Sequence, residues 1–224
     1  MFKKILLFII IVSILLTLSI LGISYSYYKI KISEQSLETR IQNIVSNDNY
    51  ITFEKLPQQY INALLSIEDH RYYNHGAIDI IAIGRSIITN IKSKEITQGG
   101  STLTQQVAKN LVFNQDQNII RKISEIFVAY DLEKLCSKDE IIALYANISY
   151  FGDGNYGIYD ASKNYFNKSV SKLTLEECCM LAGIPNAPSI YAPTINPDLT
   201  HKRKNQVLNK MIEYGYISEK EANL

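Results

Sequence analysis

Residues 99–110 read GGSTLTQQVAKN, two glycines followed by a stretch with the periodicity of an α-helix. Leu103, Val107 and Leu111 recur at helical spacing and predict an apolar stripe, with the polar side chains on another face. Ser101 is a candidate N-cap, since a serine hydroxyl can accept a hydrogen bond from a first-turn amide. The pattern predicts an amphipathic helix that packs against a larger helical core.

Helical signals continue on both sides of this stretch. Candidate helices begin at Pro57, at Asp79 as an N-cap, at Ile119 (ending at Leu135), at capping boxes of the S/T-x-x-E type opened by Ser137, Thr174 and Ser218, and after Asn196, with Gly215 ending the last one. In the Ile119–Leu135 helix, the residues expected to face inward are Ile119, Ile123, Ile126, Phe127 and Tyr130. Residues 92–100 are expected to form a polar loop. No segment alternates as a strand, so the predicted fold class is all-α.

The N-terminal part of the chain has the composition of a membrane anchor. From Ile5 to Ile23 run 19 residues without a charge, which as a helix span about 28 Å, close to the hydrocarbon thickness of a bilayer. The apolar run is longer than that of a signal peptide and no small-residue cleavage site follows it. We expect a leader and anchor at 1–28, a stalk at 29–50 and one domain at 51–224. Lysines flank the span on both sides, so its orientation stays open.

Composition excludes several classes of function. The 224 residues include 23 Lys and Arg against 22 Asp and Glu, a net charge of +1, and a near-neutral chain lacks the general basic field expected of a nucleic-acid binder. With 46% hydrophobic residues, 10 Gly and 5 Pro, collagen-like and disordered classes are excluded. The three cysteines, Cys136, Cys178 and Cys179, lack CxxC spacing and predict neither a disulfide framework nor a zinc site.

Polar clusters at four places carry candidate chemistry. The first, EDHRYYNHGAID at residues 68–79, contains metal-ligand types at Asp69, His70, His75 and Asp79, but without helical HxxxH spacing. The sequence is therefore compatible with three interpretations of this cluster: a metal site, a structural hydrogen-bond network, or a catalytic acid or base at Glu68.

The second and third clusters could bind an anion. In GGSTLTQQVAKN, two glycines allow close backbone approach, and the amides of the helix start together with Lys109 suit an anionic ligand. In RKISE, residues 121–125, the side chains of Arg121, Lys122 and Glu125 can share one helix face. A solvated polar face and a surface ion pair are the alternatives. The fourth cluster, residues 138–158, is a capped helix followed by a loop rich in glycine and aromatic residues.

The order of these clusters resembles one family, the peptidoglycan glycosyltransferases of family 51, which occur in bifunctional penicillin-binding proteins and as monofunctional transglycosylases. The likeness covers about residues 45–222. RKISE stands at the position of the family's R-K-x-x-E motif, and the later stretches YFG, YGI, LAGIPNAPS and VLNKM also resemble the family. It implies a lysozyme-like, all-α glycosyltransferase domain with a small membrane-facing lobe. No S-x-x-K, S-D-N or K-T-G element follows, so a monofunctional enzyme is expected.

The resemblance implies polymerisation of lipid II into β-1,4-linked glycan strands, with inversion at the sugar and release of undecaprenyl pyrophosphate. Glu68 matches the general base and Glu125 the second catalytic carboxylate. Residues implied in substrate binding are Arg85, Ser101, Gln105, Gln106, Lys109, Arg121 and Lys122, and those implied in supporting the site are Asp69, His75 and Asn147. No tightly bound cofactor is expected. Activity is expected to depend on Mg²⁺ or Mn²⁺, held by Glu125 together with substrate phosphate.

The implied partners are lipid II, the growing glycan on undecaprenyl pyrophosphate, the membrane and other cell-wall synthesis proteins, with no nucleic acid. The expected location is the bacterial cytoplasmic membrane, with the domain on its extracytoplasmic face. An apolar patch formed by Ile87, Ile88 and Ile91, or by Val112 and Phe113, is expected to dip into the membrane interface.

Two other functions remain as alternatives: a lysozyme-like lytic enzyme that cleaves glycan, and an inactive membrane-anchored scaffold of wall synthesis. Three departures from the family pattern bear on activity. Tyr72 stands where the family usually has Phe, Ala77 where it has Gly, and Ala146 where it has Leu. If the turn at residue 77 needs a positive φ, an alanine there costs free energy.

Overall fold

The structure, a computed structural model, describes residues 2–93, 99–113 and 118–222, and within these ranges it contains helices and no strand. The only pairing of β type in this part of the chain is an isolated bridge between Tyr150 and Tyr156. The helices are α1 (Phe2–Glu34), α2 (Leu37–Val45), α3 (Gln58–Glu68), α4 (Ile80–Ser93), α5 (Leu103–Val112), α6 (Ile119–Leu135), α7 (Lys138–Ile148), α8 (Ile158–Phe166), α9 (Leu175–Gly183), α10 (Pro188–Tyr191) and α11 (Pro197–Glu213). The predicted all-α fold class is confirmed.

The core lies between two groups of helices that meet around α3 and α5. Helix α3 packs against α9 and α11, while α5 packs against α6 and α7. The predicted stripe of α5 faces this core, since Leu103 and Val107 have no exposed surface and Leu111 is half-buried. Burying such side chains contributes roughly 1.5–3 kcal/mol each. The packing fixes the end of α3 beside α5, which is where the candidate site lies.

Helix α1 is long and apolar enough to cross a membrane, and its most apolar part contacts no other part of the protein. Its C-terminal third, in contrast, packs on α6. The Ser124 hydroxyl donates to the carbonyl oxygen of Ser24 at 2.7 Å, Tyr28 donates to Asp131, and the rings of Tyr25 and Phe127 meet edge to face at 5.4 Å. The predicted anchor is therefore attached directly to the helix that carries the RKISE motif.

The segment expected to be a stalk, residues 29–50, is largely helical and packed. Helix α1 continues to Glu34, and α2 then lies against α7 with Leu37 only 3% exposed. The Arg40 guanidinium donates to the carbonyl oxygen of Leu111 at 3.2 Å. These contacts make the segment part of the packed structure, although the boundaries at residues 28 and 50 stay predictions.

The predicted inward face of α6 is only partly right, since Ile123, Ile126 and Phe127 are half-buried but the two end residues are not. Ile119 is 62% exposed and Tyr130 is 47% exposed. The buried residues of the helix are instead Arg121, Ser124, Glu125, Val128, Ala129 and Leu132. Apolar periodicity does not describe this helix for two reasons. Phe127 packs on α1 rather than on the central core, and Arg121 and Glu125 are buried as an ion pair.

The helix caps confirm part of the sequence prediction. Asp79 caps α4, its Oδ1 accepting from the amides of Ile81 and Ala82 at 2.9 and 3.0 Å, and the capping boxes at Ser137 and Thr174 both form. The box of Ser218 with Glu221 also forms, but residues 218–222 make only a turn. Helix α11 ends at Glu213, just before the predicted Gly215 at φ +73°.

Three predicted boundaries differ. Pro57 is the N-cap of α3 rather than its first helical residue, and Lys92 and Ser93 belong to α4 rather than to a loop; residues 94–98 of that predicted loop lie outside the described residues. Ser101 is not the cap of α5. Thr102 is, because its hydroxyl accepts from the Gln105 amide at 3.1 Å while Gln105 Oε1 accepts from the Thr102 amide at 3.0 Å.

Replacing Thr102 with alanine should lower the free energy of unfolding by about 1–2 kcal/mol, the usual value of a lost N-cap. The Thr102 hydroxyl also donates to the carbonyl oxygen of Ala77 at 2.7 Å, so both bonds are lost together. Thermal unfolding of Thr102→Ala, with Thr102→Ser as the matched variant that keeps the hydroxyl, measures this. A stability loss for Ser101→Ala larger than for Thr102→Ala would contradict the assignment of the cap.

One of the two predicted apolar patches is exposed on α4, while its contact with the membrane interface stays a prediction. Ile87, Ile88 and Ile91 are 53%, 57% and 72% exposed, and Ile80 and Ile81 extend the surface. The other predicted patch is wrong, because Val112 and Phe113 are only 6% and 7% exposed. The Phe113 ring packs against Tyr27 of α1 at 5.7 Å, so α1 covers it.

The departures from the family pattern fit the structure without strain. Among the described residues other than glycine, a positive φ occurs only at Asp153 and Asn167, so Ala77 does not need a glycine conformation. The additional hydroxyl of Tyr72 donates to the Lys138 carbonyl oxygen at 3.0 Å. Ala146 is fully buried.

Candidate active site

Glu68 is the last residue of α3, where the helix opens into the turn that begins with Asp69. Its Oε2 accepts a hydrogen bond of 2.7 Å from the side-chain amide of Gln106 on α5. Its Oε1 lies 3.9 Å from the Arg203 guanidinium on α11. The Glu68 side chain is only 9% exposed, so three helices hold one carboxylate at the edge of the core.

Burial raises the pKa of Glu68, because a charged carboxylate loses solvation at this position. The bond from Gln106 and the charges of Arg203 and Lys109 act in the opposite direction, while the neighbouring Asp69 adds to the increase. A carboxylate with a raised pKa binds a proton more readily than an exposed one. Glu68 is therefore suited to accept a proton from a reacting group.

Asp69 and His75 connect the turn after α3 to the start of α5. Asp69 Oδ2 accepts from the amide of Leu103 at 3.1 Å, and its Oδ1 lies 2.8 Å from Nε2 of His75. Nδ1 of His75 lies 2.6 Å from the carbonyl oxygen of Gly76. These contacts agree with the supporting role that the resemblance implies for both residues, since they fix Glu68 relative to α5.

The ligand atoms of Asp69, His75 and Asp79 lie within 4.8 Å of one another, a distance at which they could bind one metal ion. Their binding capacity is already used, however. Asp79 accepts from Arg71 at 3.0 Å and from two backbone amides, and both ring nitrogens of His75 face protein oxygens. The arrangement is a hydrogen-bond network that does not fit a metal ion.

On α6, two cations surround Glu125, whose side chain has no exposed surface. Arg121 pairs with Oε1, and Lys122 Nζ lies 3.0 Å from Oε2 and 2.7 Å from the Ser101 hydroxyl. Burial, together with the charges of Arg121 and Lys109, lowers the pKa of Lys122 to about 8. Burial and Arg121 also lower the pKa of Lys109. Cations that crowd one another in this way are stabilised by an anion.

Glu125 does not fit the role of a metal ligand in this arrangement. Both of its oxygens are engaged by Arg121 and Lys122, and a divalent cation there would meet two positive charges at short range. The expected dependence on Mg²⁺ or Mn²⁺ stays a prediction.

Three amides at the start of α5 are already engaged within the protein and are not available to the predicted anion site. The Leu103 amide donates to Asp69, and those of Thr102 and Gln105 donate within the capping box. Side chains have thus satisfied these three donors. Gln105, implied in substrate binding, is 4% exposed, and its oxygen closes the capping box, a structural role that the sequence prediction did not include.

A pocket beside Glu68 brings further predicted residues together. Its lining includes Asp69, Arg85 and Ser101 together with His70 and Gly100. A Cβ added at Gly100 would lie 2.9 Å from the Ser86 hydroxyl. The backbone of Gly100 therefore makes a close approach, as predicted, but it approaches helix α4 and not a ligand.

Asn147 lies in a different place from the other predicted residues. Its side-chain oxygen accepts from the amide of Ile51 at 2.9 Å and its nitrogen donates to the Ile51 carbonyl at 2.8 Å. It also lines a separate pocket with Asn43 and Tyr156. Its contacts are structural, in agreement with a supporting role.

Three residues near Glu68 were missed by the sequence analysis: Arg203 on α11, Tyr145 on α7 and Tyr60 on α3. Arg203 follows Glu68 by 135 positions, so no local spacing connects the two. The tyrosines lie at positions that periodicity assigns to the core. Only the three-dimensional packing of α3, α7 and α11 places them near the carboxylate.

A family model described as "Transglycosylase" matches residues 35–212. The chain belongs to the transglycosylase family. A protein of Cupriavidus necator named as a transglycosylase is 43% identical over 173 residues, which are 77% of this chain and 74% of that protein. Penicillin-binding protein 1F of Bacillus subtilis is 40% identical over 192 residues, 86% of this chain and 27% of that protein. By family the chain is a peptidoglycan glycosyltransferase.

The transglycosylase thus covers only part of some relatives. It spans about a quarter of penicillin-binding protein 1F and 23% of penicillin-binding protein 1A of Aquifex aeolicus, to which it is 41% identical. The solved structure of penicillin-binding protein 1A from Haemophilus influenzae matches 78% of this chain and 16% of that one, at a TM-score of 0.45 and 23% identity.

Proposed function

We propose that this transglycosylase polymerises lipid II into β-1,4-linked glycan strands, with Glu68 as the general base. The observation that supports this most is the neighbourhood of one buried carboxylate and three cations. Lys109 lies within electrostatic range of both Glu68 and Arg121, and Lys122 within range of both Lys109 and Arg121. A proton acceptor and an anion site in one place suit a sugar donor with a pyrophosphate leaving group.

In the proposed reaction, the C4 hydroxyl of the acceptor attacks C1 of the donor while Glu68 takes the hydroxyl proton. The C1–oxygen bond to pyrophosphate breaks as the new bond forms, so an α-linked donor gives a β-linked product. A single displacement requires no covalent sugar–enzyme intermediate. Proton removal by a positioned carboxylate contributes typically about 10²–10⁴-fold to the rate.

The leaving pyrophosphate is already a weak base, so it requires neutralisation of charge rather than a strong general acid. Lys109, Arg121 and Lys122 supply positive charge, and Glu125 holds two of these cations in position. We assign the exposed guanidinium of Arg85, on the rim of the Glu68 pocket, to the same donor. In this assignment Gln106 orients the base rather than the phosphate, since it donates to Glu68.

A lytic enzyme that cleaves glycan is the main alternative. Such an enzyme works with a carboxylic acid that protonates a sugar leaving group, and it has no use for a cluster of cations beside that acid. An inactive scaffold is the second alternative, which the intact Glu68 and Glu125 argue against.

Incubating the purified chain separately with lipid II and with preformed glycan, each with and without Mg²⁺ or Mn²⁺, distinguishes the three functions. We expect longer glycan and released undecaprenyl pyrophosphate from lipid II, and no shortening of the preformed glycan. Cleavage of glycan without polymer formation would favour the lytic enzyme. No change in either substrate would favour the scaffold.

Binding of pyrophosphate should weaken as the pH rises through about 8, because Lys122 loses its proton there while its pKa is about 8. A bound anion stabilises the protonated form, so binding in turn raises the pKa of Lys122. Isothermal titration with inorganic pyrophosphate between pH 6.5 and 9.5 measures the effect. Lys122→Arg keeps its charge throughout this range and should lose less affinity. Equal pH dependence in both proteins would contradict the role of Lys122.

We also propose that the domain lies on the extracytoplasmic face of the cytoplasmic membrane, where the exposed isoleucines of α4 contact the lipid interface. Replacing Asp48, which is exposed, with cysteine in a background lacking the three native cysteines tests the side. An impermeant thiol reagent should label this residue on intact cells. Labelling only after lysis would place the domain in the cytoplasm.

A further inference from the structure

The inner side of Glu68 carries polar atoms that lack hydrogen-bond partners. Among the described residues, the buried side-chain atoms without a partner include Oε1 of Glu68 and the hydroxyls of Tyr60 and Tyr145. Both tyrosines are essentially inaccessible, with 0% and 1% of their surface exposed. Leaving a buried polar group without a partner costs about 1–3 kcal/mol, so three such groups in one region of the core indicate that they share a partner.

Helix α11 supplies the charge on this inner side. The Arg203 guanidinium lies 3.9 Å from Oε1 of Glu68, too far for a direct hydrogen bond but close enough for a strong charge interaction. It is fixed there by other contacts: Nε donates to the Gly183 carbonyl oxygen at 3.3 Å, and the guanidinium lies over the ring of Tyr191 at 5.5 Å. Arg203 is thus held in place independently of Glu68.

Tyr145 completes the group from α7. Its phenol lies within electrostatic range of Glu68, Tyr60 and Arg203, and the Ser149 hydroxyl is close to it but not in good hydrogen-bond geometry. Burial raises the pKa of Tyr145 well above its usual value, so the phenol keeps its proton and remains a hydrogen-bond donor at any working pH. A guanidinium donor therefore lies 3.9 Å from the free oxygen of the base, and a phenol donor lies within electrostatic range of the same carboxylate.

We propose that Tyr145 and Arg203 are positioning residues for Glu68, holding its inner oxygen Oε1 through one shared buried water so that Oε2 faces Gln106 and the acceptor hydroxyl. A water of this kind makes about three hydrogen bonds to buried polar groups that otherwise have no partner. The inference rests on the proposed function only in naming the acceptor. With Oε1 fixed on one side and Oε2 on the other, the carboxylate plane cannot rotate.

The same contacts keep the base ionised. The charged groups that face Glu68 are Asp69 from the turn after α3, Lys109 from α5 and Arg203 from α11. Burial and Asp69 favour the protonated form, whereas Arg203, Lys109 and the bond from Gln106 favour the carboxylate. Lys109 is also assigned to the pyrophosphate, so its charge is shared with substrate. Arg203 is the cation near Glu68 that is not assigned to the pyrophosphate.

The test uses the full chain with Arg203→Gln, Arg203→Lys and Tyr145→Phe, and with Lys210→Gln as a control that removes a cation of α11 paired with Glu213. The pKa of Glu68 is read from the carboxyl signal of ¹³C-labelled glutamate, assigned by its loss in Glu68→Gln. We expect Arg203→Gln to raise this pKa by about one unit or more, the usual effect of losing a nearby opposite charge. Arg203→Lys should restore most of the difference, Tyr145→Phe should raise the pKa by less, and Lys210→Gln should leave it unchanged.

Polymerisation of lipid II gives the second measurement. Arg203→Gln and Tyr145→Phe should lower kcat and move the acid limb of the pH profile upward, while KM for lipid II stays within about twofold, as for groups that do not contact substrate. An unchanged Glu68 pKa in folded Arg203→Gln would overturn the inference even in a chain without activity. An inactive wild type with the expected pKa changes would instead overturn the proposed function and keep the positioning of Glu68.

Discussion

Glu68→Gln should reduce polymerisation of lipid II by about 10²–10⁴-fold, the usual contribution of a positioned general base. The amide keeps the shape of the side chain and can still accept the hydrogen bond from Gln106, but it cannot take a proton from the acceptor. Because the substitution removes a buried charge, the melting temperature should not fall. The measurement is the initial rate of glycan formation by wild type and variant at equal concentrations of folded protein.

The matched control for this variant is Glu54→Gln, an exposed carboxylate at the surface of the same domain, which should polymerise at the wild-type rate. Affinity for pyrophosphate should also be retained in Glu68→Gln, because the cations lie on α5 and α6. A rate near that of wild type in Glu68→Gln would remove Glu68 from the role of base.

Arg121→Ala and Lys109→Ala should both weaken binding of pyrophosphate by about 10–100-fold, the range expected for a lost charge-assisted hydrogen bond. The two variants should differ in stability. Arg121 pairs with the fully buried Glu125, which keeps its contact with Lys122 in the variant, so the loss of stability should approach but not exceed the about 3–5 kcal/mol of a broken buried pair. Lys109 lies within electrostatic range of Glu68, which keeps its hydrogen bond from Gln106 and its charge partner Arg203, so removal of Lys109 should change stability less.

Calorimetric titration with pyrophosphate, together with chemical denaturation of each variant, separates the two effects. The loss of affinity should be larger at low ionic strength, because salt screens charge interactions. Unchanged affinity in both variants would place the anion site elsewhere. Equal stability of the two variants would contradict the buried pair of Arg121 and Glu125.

The fold was predictable where local signals and tertiary packing agree. The stripe of Leu103 and Val107, the cap at Asp79 and the capping boxes at Ser137 and Thr174 all rest on interactions within a few residues. Prediction failed on α6, where packing against α1 and the burial of Arg121 and Glu125 override the apolar periodicity. It also failed at Val112 and Phe113, because sequence spacing does not show that both are buried or that Tyr27 of α1 packs on Phe113.

The candidate site shows the same division. Motif spacing predicted that Glu68, Lys109 and the charged residues of α6 belong to one site, and the structure describes the contacts around each of them. The spacing did not predict that Asp69 and the side chain of Gln105 accept hydrogen bonds from the first amides of α5. The sequence pattern is equally compatible with a bound anion and with protein side chains as the acceptors. Arg203 could not be found at all from spacing, because its approach to Glu68 depends on the packing of α11 on α3.

The configuration of the first glycosidic bond tests the central claim most directly. Lipid II labelled with ¹³C at C1 of the pyrophosphate-linked sugar is incubated with the purified chain, and the anomeric coupling constant of the product is measured by NMR. A general base acting in a single displacement predicts a β linkage from the α-linked donor. An α linkage would mean two displacements through a covalent sugar–enzyme intermediate, and would contradict the assignment of Glu68 as a base.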